Sequence, residues 1–430
     1  ASGQIQLLAV HYDAYRMKGN DFNSLTKDYS NGPLFTSGNS TIASEYDYQT
    51  WLASPYTIDG VTIYSINHHE YFGASYNYYN WHNTITQAVS TDSGKTYQQA
   101  STPNHLVWSL PYSYSAGEGP CGYFNPSNII QNQEDGYYYS YIHLEARENQ
   151  EGGVGLIRTN NLADPSSWRG WDGTDFYATS YNPYSGGSVN PDEHVLVPLN
   201  DLNDNIGTMS SSITYNTYFN KWLLVGMSSQ VINGVLVNGV FFSLSADMIH
   251  WSQRKLVRAF SGVWGSTYPS YNYPSIIDHN DTSRNFSFSG QDVYLYYTKA
   301  NSASDRDLIR IPIRFNKHSV NGFTIDMTTD NTTTCRDALN GDGYPYSKLS
   351  GGTKVTLRSA IEEANARPPY YADSIITFNF TIPSGTGVKN IILGVAELPE
   401  IKYPIFLNGT SQPGSALNTA TSGQPNNASI

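Results

Sequence analysis

Phe124-Asn-Pro-Ser-Asn-Ile-Ile130 decides the fold, because its plan recurs along the chain. Leu52-Ala-Ser-Pro-Tyr56, Met209-Ser-Ser-Ser-Ile213 and Tyr273-Pro-Ser-Ile-Ile277 also open on small or proline-containing motifs. Each runs on into an apolar strand, a turn and an aromatic strand. The units start about 60 to 85 residues apart, a spacing suited to one four-stranded blade with its loops. Short β-rich runs at 62–66, 137–142, 222–225 and 293–297 alternate with Gly, Asn and Asp turns, and helical periodicity is nearly absent. Four such units and an opening strand at 4–10 predict an all-β, five-bladed β-propeller over residues 1–318. A pair of β-sandwiches explains the period less well.

A second element recurs within the units. Val89-Ser-Thr-Asp-Ser-Gly-Lys-Thr-Tyr97 and Ser243-Leu-Ser-Ala-Asp-Met-Ile-His-Trp251 each place Asp in a turn with an aromatic just after it. Residues 158–168 are a longer variant that ends on Trp168. An Asp that bonds its own turn amides, followed by a ring that packs between blades, makes Asp92 and Asp247 scaffold residues first.

Composition narrows the function. The 430 residues carry 24 Lys plus Arg against 36 Asp plus Glu, a formal charge of −12, and 35 Tyr. Charged residues make up 14 % of the chain, well under the usual quarter. No basic cluster suits a nucleic acid, and no apolar run is long enough for a membrane-spanning helix. So much Tyr, Trp and Ile supports a large core rather than disorder. Scarce Lys beside abundant Asn, Ser, Thr and Gly points to a secreted or cell-surface protein. Cys121 and Cys335 form no CxxC pattern, and whether they pair is left open by their spacing.

Near residue 320 the character changes. Residues 355–366 form the best amphipathic helix in the chain, with Val355, Leu357, Ala360, Ile361 and Ala364 on one broad face. Strands are expected at 375–380, 390–393 and 404–407, with turns at Asn408-Gly409 and Gln412-Pro-Gly414.

The region 319–430 resembles the start of right-handed parallel β-helix domains in large bacterial surface proteins. The resemblance rests on the helix motif Leu357–Asn365, on Ile376-Thr-Phe378, on Leu398–Ile401 and on Asn408–Gly414. It implies a capping helix and a first coil, continuation beyond Ile430, and self-association through this region. Residues 4–315 resemble a family of secreted bacterial propellers related to five-bladed glycosidases. The matching stretches are His68-His69-Glu70-Tyr71, Trp81-His-Asn-Thr-Ile-Thr86 and Gly119-Pro-Cys-Gly-Tyr-Phe-Asn-Pro-Ser-Asn-Ile129. Two more are Leu162-Ala-Asp-Pro-Ser-Ser-Trp-Arg-Gly-Trp-Asp-Gly173 and Asp305-Arg-Asp-Leu-Ile-Arg310. The likeness implies a polysaccharide or glycan as partner, with glycoside hydrolysis as one outcome. Its usual carboxylates at the inner-strand starts are not matched, because those starts read Ser54-Pro55, Asn125-Pro126-Ser127, Ser211-Ser212 and Tyr273-Pro274-Ser275.

Other acids stand as catalytic candidates. Glu70 ends a strand whose apolar run predicts burial, and a buried Glu near His is suited to acid or base work. The plainer alternative has Glu70 holding a loop through His82 or backbone amides. Glu118 lies in a loop that leads into an inner strand, and Glu145 ends a strand after His143. Asp13 could point into the axial channel. For saccharide contact the candidates are His68, Tyr71, Tyr76, Tyr79, Trp81, Asn125, Trp264, Tyr268 and Tyr271. Rings and amides in Gly-rich loops suit both the C–H faces and the hydroxyl edges of sugars, although inter-blade packing also consumes aromatics. No cofactor is required. No HxH or HExxH spacing marks a metal site around His11, His68, His69, His82 and His143, and Ca2+ in a propeller channel, held mainly by water, is the one cation expectation. The competing reading is a non-catalytic adhesive or structural module with the β-helix as its stalk.

Overall fold

The computed structural model describes residues 3–10, 13–30, 32–199, 205–232, 235–263, 267–315, 320–328, 355–366, 376–383, 389–393 and 397–416. Two compact units divide the chain, Ala1–Phe315 and Asn316–Ile430.

The first unit is a succession of five antiparallel meanders. The first sheet pairs Ile5–Val10 with Asp13–Gly19, which also pairs Thr26–Asp28 and Phe35–Thr36. In the second, Gln49–Thr57, Ile63–Tyr71 and His82–Ser90 run in order. The third sets Cys121–Phe124 and Ile130–Gln131 against Tyr138–Glu145, followed by Gly153–Thr159 and two short strands. The fourth orders Ser212–Asn216, Lys221–Ile232, Val235–Ser245 and Lys255–Ala259. Ser270–Ile277, Asp292–Ala300 and Arg306–Arg314 make the fifth.

Each sheet packs on the next, and the last returns to the first. The opening segments of neighbouring sheets touch directly. The Ser54 hydroxyl donates to the Pro126 and Ser127 carbonyls (3.1 and 2.5 Å), and the Asn128 amide exchanges two bonds with the Ile213 backbone (2.9 and 2.8 Å). The Ile276 N–H donates to Ser212 Oγ at 3.3 Å. Ser54, Ser127 and Ser212 are buried, and their small side chains allow this crowding, which is why the recurring motif is built from Ser and Pro. Between the first and second sheets, Ala14, Leu34, Leu52, Ala88 and Tyr97 form a core, and Arg16 donates to the Gly94 carbonyl at 2.9 Å. Between the fifth and first, Phe22 stacks on His279 with centroids 4.2 Å apart, and Arg310 donates to the Phe22 carbonyl at 3.1 Å. Five meanders in a closed circuit, with the opening segments of the second to the fifth in contact, make a five-bladed propeller.

The turn aspartates do what the sequence implies. Asp92 Oδ1 accepts from the Lys95 and Thr96 amides, and Asp247 Oδ1 from those of Ile249 and His250. The aromatics that follow, Tyr97, Trp168 and Trp251, are all buried in the cores between blades.

In the second unit the helix runs Leu357–Ala366, two residues later than the periodicity suggests. Thr356 stops it there, because Thr356 Oγ1 accepts from the Ser359 amide and Ser359 Oγ from that of Thr356, each at 3.0 Å. Ala360, Ile361 and Ala364 pack on Phe323, Ile325, Ile376 and Phe378. The strands Val320–Ile325, Ile376–Phe380 and Ile405–Asn408 run parallel, and the first pairing slips by one residue between Val320 and Phe323. Residues 390–393 form no strand, although the Ile392 amide donates to the Thr328 carbonyl at 2.8 Å.

Candidate functional site

The strand Ile63–Tyr71 is buried on both faces over most of its length and ends at Glu70 and Tyr71. Residues 68 and 70 share one face of it. His68 is buried, and desolvation pushes its pKa down to about 4, so the ring is neutral. Its Nε2 lies 2.8 Å from Asn83 Oδ1, an obligate acceptor, so the proton sits on Nε2. Nδ1 then presents a lone pair to Glu70 Oε1, 3.8 Å away. Burial raises the Glu70 carboxyl to about 7, and the neighbouring Trp51 side chain acts the other way, favouring ionisation. A protonated acid facing an imidazole lone pair is a compatible pair, and the Glu70 side chain keeps 13 % of its surface exposed.

Neighbouring strands carry the arrangement further. Register sets Glu70 opposite Asn83, Asn83 beside Gly122, and Gly122 opposite Glu145, one row over four strands. Glu145 Oε1 accepts from His143 Nε2 at 3.1 Å. Phe124 is the hub, with the His68, Trp81 and His143 rings 5.4, 4.9 and 5.8 Å from its own. Asn125 also interacts with His68. His68 and His143 thus flank one aromatic side chain, with Glu70 beside the first and Glu145 beside the second.

Glu118 has a different partner. It forms an ion pair with Arg147, whose guanidinium also donates to the Ser113 carbonyl at 3.1 Å, so it ties two loops together. Asp13 is exposed and accepts from Thr36 at 2.8 Å. Cys121 is buried, with its thiol pushed up to about 11 by desolvation, which suits packing rather than nucleophilic attack. His11, Trp264 and Cys335 lie outside the described residues.

The tyrosine-rich segment 71–81 splits by depth. Tyr71 is buried and donates to the Thr41 carbonyl at 2.6 Å. Phe72 and Trp81 stack at 5.9 Å beneath the loop, while Tyr76, Tyr78 and Tyr79 stand 75, 52 and 64 % exposed. The Asn77 side chain accepts from the Tyr79 amide, and the Gly119 amide donates to the Tyr79 carbonyl at 2.7 Å, which fixes the turn that presents them. Gly119 is required there, because a Cβ would lie 2.4 Å from the Trp81 carbonyl oxygen. On the fifth blade Tyr268 is exposed, whereas Tyr271 stacks on Phe260 at 4.3 Å.

Behind this face lies a small cavity of about 10 Å³, the room of one water molecule. Tyr46, His69, Tyr71, His82, Tyr114 and Tyr184 line it. His69 Nε2 accepts from the Tyr48 amide at 3.1 Å, so its Nδ1 donates to Thr84 Oγ1 at 2.7 Å. Desolvation holds His69 well below its ordinary value and takes His82 down to about 3.

These shifts fix the sign of an acid response. Unfolded histidine titrates near 6.5. As pH falls from about 6.5 through the folded values of His68 and His82, the unfolded chain takes up protons the folded chain refuses, and stability drops. Glu70 acts oppositely, because between 4.5 and about 7 the folded state holds its proton. Three histidines outweigh one glutamate, so the melting temperature should fall from pH 6.5 to 4, by on the order of 5 °C per pH unit. Calorimetry across that range checks this, and a melting temperature that rises on acidification would refute the neutral-histidine assignment.

No protein-family model and no curated protein matches the chain. Among solved structures, a thermostable family-43 glycoside hydrolase aligns at 10 % identity over 74 % of this chain and 88 % of its own, with a TM-score of 0.40. An α-L-arabinanase of Cellvibrio cellulosa in complex with arabinohexaose aligns at 12 % over 74 % and 90 %, TM-score 0.41. A Bacillus subtilis arabinanase aligns at 12 % over 73 % and 91 %, TM-score 0.38. Likeness of that order carries no conclusion, and the propeller assignment stands on the sheet circuit itself.

Proposed function

We propose that the propeller recognises a carbohydrate on the face that holds Glu70 and cleaves a glycosidic bond there. The observation that carries this reading is the Glu70 carboxyl, held protonated up to about 7 by burial yet open along one edge. A group with that balance is fitted to give a proton to a leaving oxygen at neutral pH. Glu145, beside His143, is the candidate for the second carboxyl, which would take a proton from the attacking water. Tyr76 and Tyr79 offer exposed rings for sugar faces. The reading needs no cofactor, and it fits a secreted or cell-surface protein.

The test is a screen of the chain against arabinan, galactan, xylan and cello-oligosaccharides, with binding by calorimetry and cleavage by released reducing ends. Binding to at least one is expected, and Tyr76→Ala with Tyr79→Ala should weaken it about tenfold, as two lost ring contacts would. A chain that binds none of them sinks the proposal.

A second reading keeps the binding and drops the cleavage. Glu118 is spent on Arg147 and Glu145 already bonds His143, which favours an adhesive module. Binding without released ends would select it. In either case we propose that the second unit begins a parallel β-helix. The three parallel strands and the Asn408–Asn379 amide bond at 2.9 Å support this. Self-association would run along the strand Ile405–Asn408, where Phe406 and Leu407 are exposed, and a mass independent of concentration in sedimentation equilibrium would exclude it.

A further inference from the structure

Asn83 sits inside the strand His82–Ser90 and is fully buried, although asparagine is a poor strand former. A buried amide has to spend its donor and its acceptor, and Asn83 spends both. Its Nδ2 donates to the Cys121 carbonyl of the third blade at 3.2 Å, and its Oδ1 lies 2.8 Å from His68 Nε2. A carbonyl only accepts, so the amide has one workable orientation, with its oxygen toward His68. The seam between the two blades imposes this arrangement. Gly122 runs parallel to Asn83 there, and a Cβ on it would lie 2.2 Å from the Asn83 carbonyl oxygen, so only glycine lets the strands come this close.

The fixed amide acts on the next group along. An acceptor held opposite Nε2 keeps the His68 proton on that nitrogen, and Nδ1 is left as a lone pair 3.8 Å from Glu70 Oε1. His68 is 5 % exposed, so its nitrogens depend on protein partners rather than on bulk water. A lone pair repels a carboxylate and is compatible with a carboxylic acid, whereas the other tautomer would aim an N–H at Glu70 and favour its ionised form. Two neutral rings of equal charge thus have opposite effects on the acid. Trp51, Asn125, His143 and Tyr273 also act on the charge of the pair or respond to it.

We infer that Asn83 is a positioning residue for the Glu70 proton: anchored on the Cys121 carbonyl, it locks His68 in the Nε2–H tautomer and so turns a lone pair toward the carboxyl. The tautomer concerns the folded protein alone, and its effect on turnover rests on the carbohydrate reading above.

Nitrogen-15 NMR of the His68 ring, assigned by its loss in His68→Gln, reads the tautomer directly. The wild type should carry its proton on Nε2, and an Nδ1–H ring there overturns the inference without any variant. Asn83→Leu removes the amide at similar volume and leaves no room for a water to replace its oxygen. In that variant the ring proton should appear on Nδ1. The ring is neutral before and after, so the net change is the Glu70 proton released to solvent. A carbon-13 titration of the Glu70 carboxyl, assigned by its loss in Glu70→Gln, should show the midpoint falling from about 7 by about one unit. On whichever of the four polysaccharides the wild type cleaves, the alkaline limb of the rate should fall with it, while KM stays within about threefold. A merely structural role for Asn83 would lower the melting temperature and leave tautomer and midpoint in place, which overturns the inference. Should Asn83→Leu fail to fold, Asn83→Ala is read in the same way. The expected tautomer and midpoint in a protein that cleaves no saccharide uphold the role of Asn83 and overturn the proposed cleavage.

Discussion

Glu70→Gln should cut glycoside hydrolysis by about 10²- to 10⁴-fold while saccharide affinity stays within about threefold. The amide keeps the size of the carboxyl, but it has no acidic proton to give. In the proposed reaction the Glu70 proton would pass to the glycosidic oxygen as the C–O bond breaks. Water would add to the anomeric carbon and leave its own proton on the Glu145 carboxylate, so charge and atoms balance after solvent exchange. Only the protonated form of Glu70 is competent, so the rate should fall as pH rises through about 7, and the residual rate of the variant should lack that limb. Steady-state rates between pH 5 and 9 measure both effects. A variant with wild-type rates would remove Glu70 from the chemistry and return it to the role of loop support.

The largest loss of stability is expected at Gly122. Its φ is +97°, and a Cβ there would lie 2.2 Å from the Asn83 carbonyl oxygen and 3.1 Å from its carbon. The obstacle is backbone, at the point where the strands from His82 and Cys121 run in parallel and join the second and third sheets. No side chain can swing aside. Gly122→Ala should cost more than about 3 kcal/mol in urea unfolding, since strain and clash add. Gly136→Ala is the control, because Gly136 has φ +77° with nothing near its Cβ, and it should cost about 1 kcal/mol. Equal losses at the two positions would show that φ alone matters and that the close approach does not. Because Gly122 sits between Asn83 and Glu145, a tolerated alanine would also predict a disturbed carboxyl row.

The blade plan was legible in the sequence because its signals are local. A Ser or Pro motif ahead of an apolar run, and an Asp followed within a few residues by a ring, report on a strand and its own turn. Glu70 was legible for the same reason, since its burial follows from the apolar run it ends. The partners of these residues were not. Asn83 meets Glu70 only through strand register, so spacing along the chain carries no trace of it. Glu118 shows the converse: its loop was evident, but its engagement by Arg147 depends on two loops meeting in space. Tyr71 and Tyr76 stand in one tyrosine run yet differ in depth, because the strand ends between them. The beginning of the helix Leu357–Ala366 moved for a purely local cause, the reciprocal Thr356–Ser359 cap, which hydrophobic periodicity does not register.

The closure of the circuit has a mechanical consequence. Backbone pairing sews the second sheet to the third at His82 and Cys121, and the fourth to the fifth where Tyr215 and Asn216 run beside Phe288 and Ser289. Among the described residues no strand is shared between the fifth sheet and the first. There the seam is a latch of side chains, with His279 sandwiched between Phe22 and Tyr294 and Arg310 fastened over it. The ring is therefore a hoop of three links rather than five, two riveted pairs and one single plate. Under load it should part first at the latch, freeing the plate that carries the amino-terminal strands, while the pair that holds Glu70 and Glu145 stays whole.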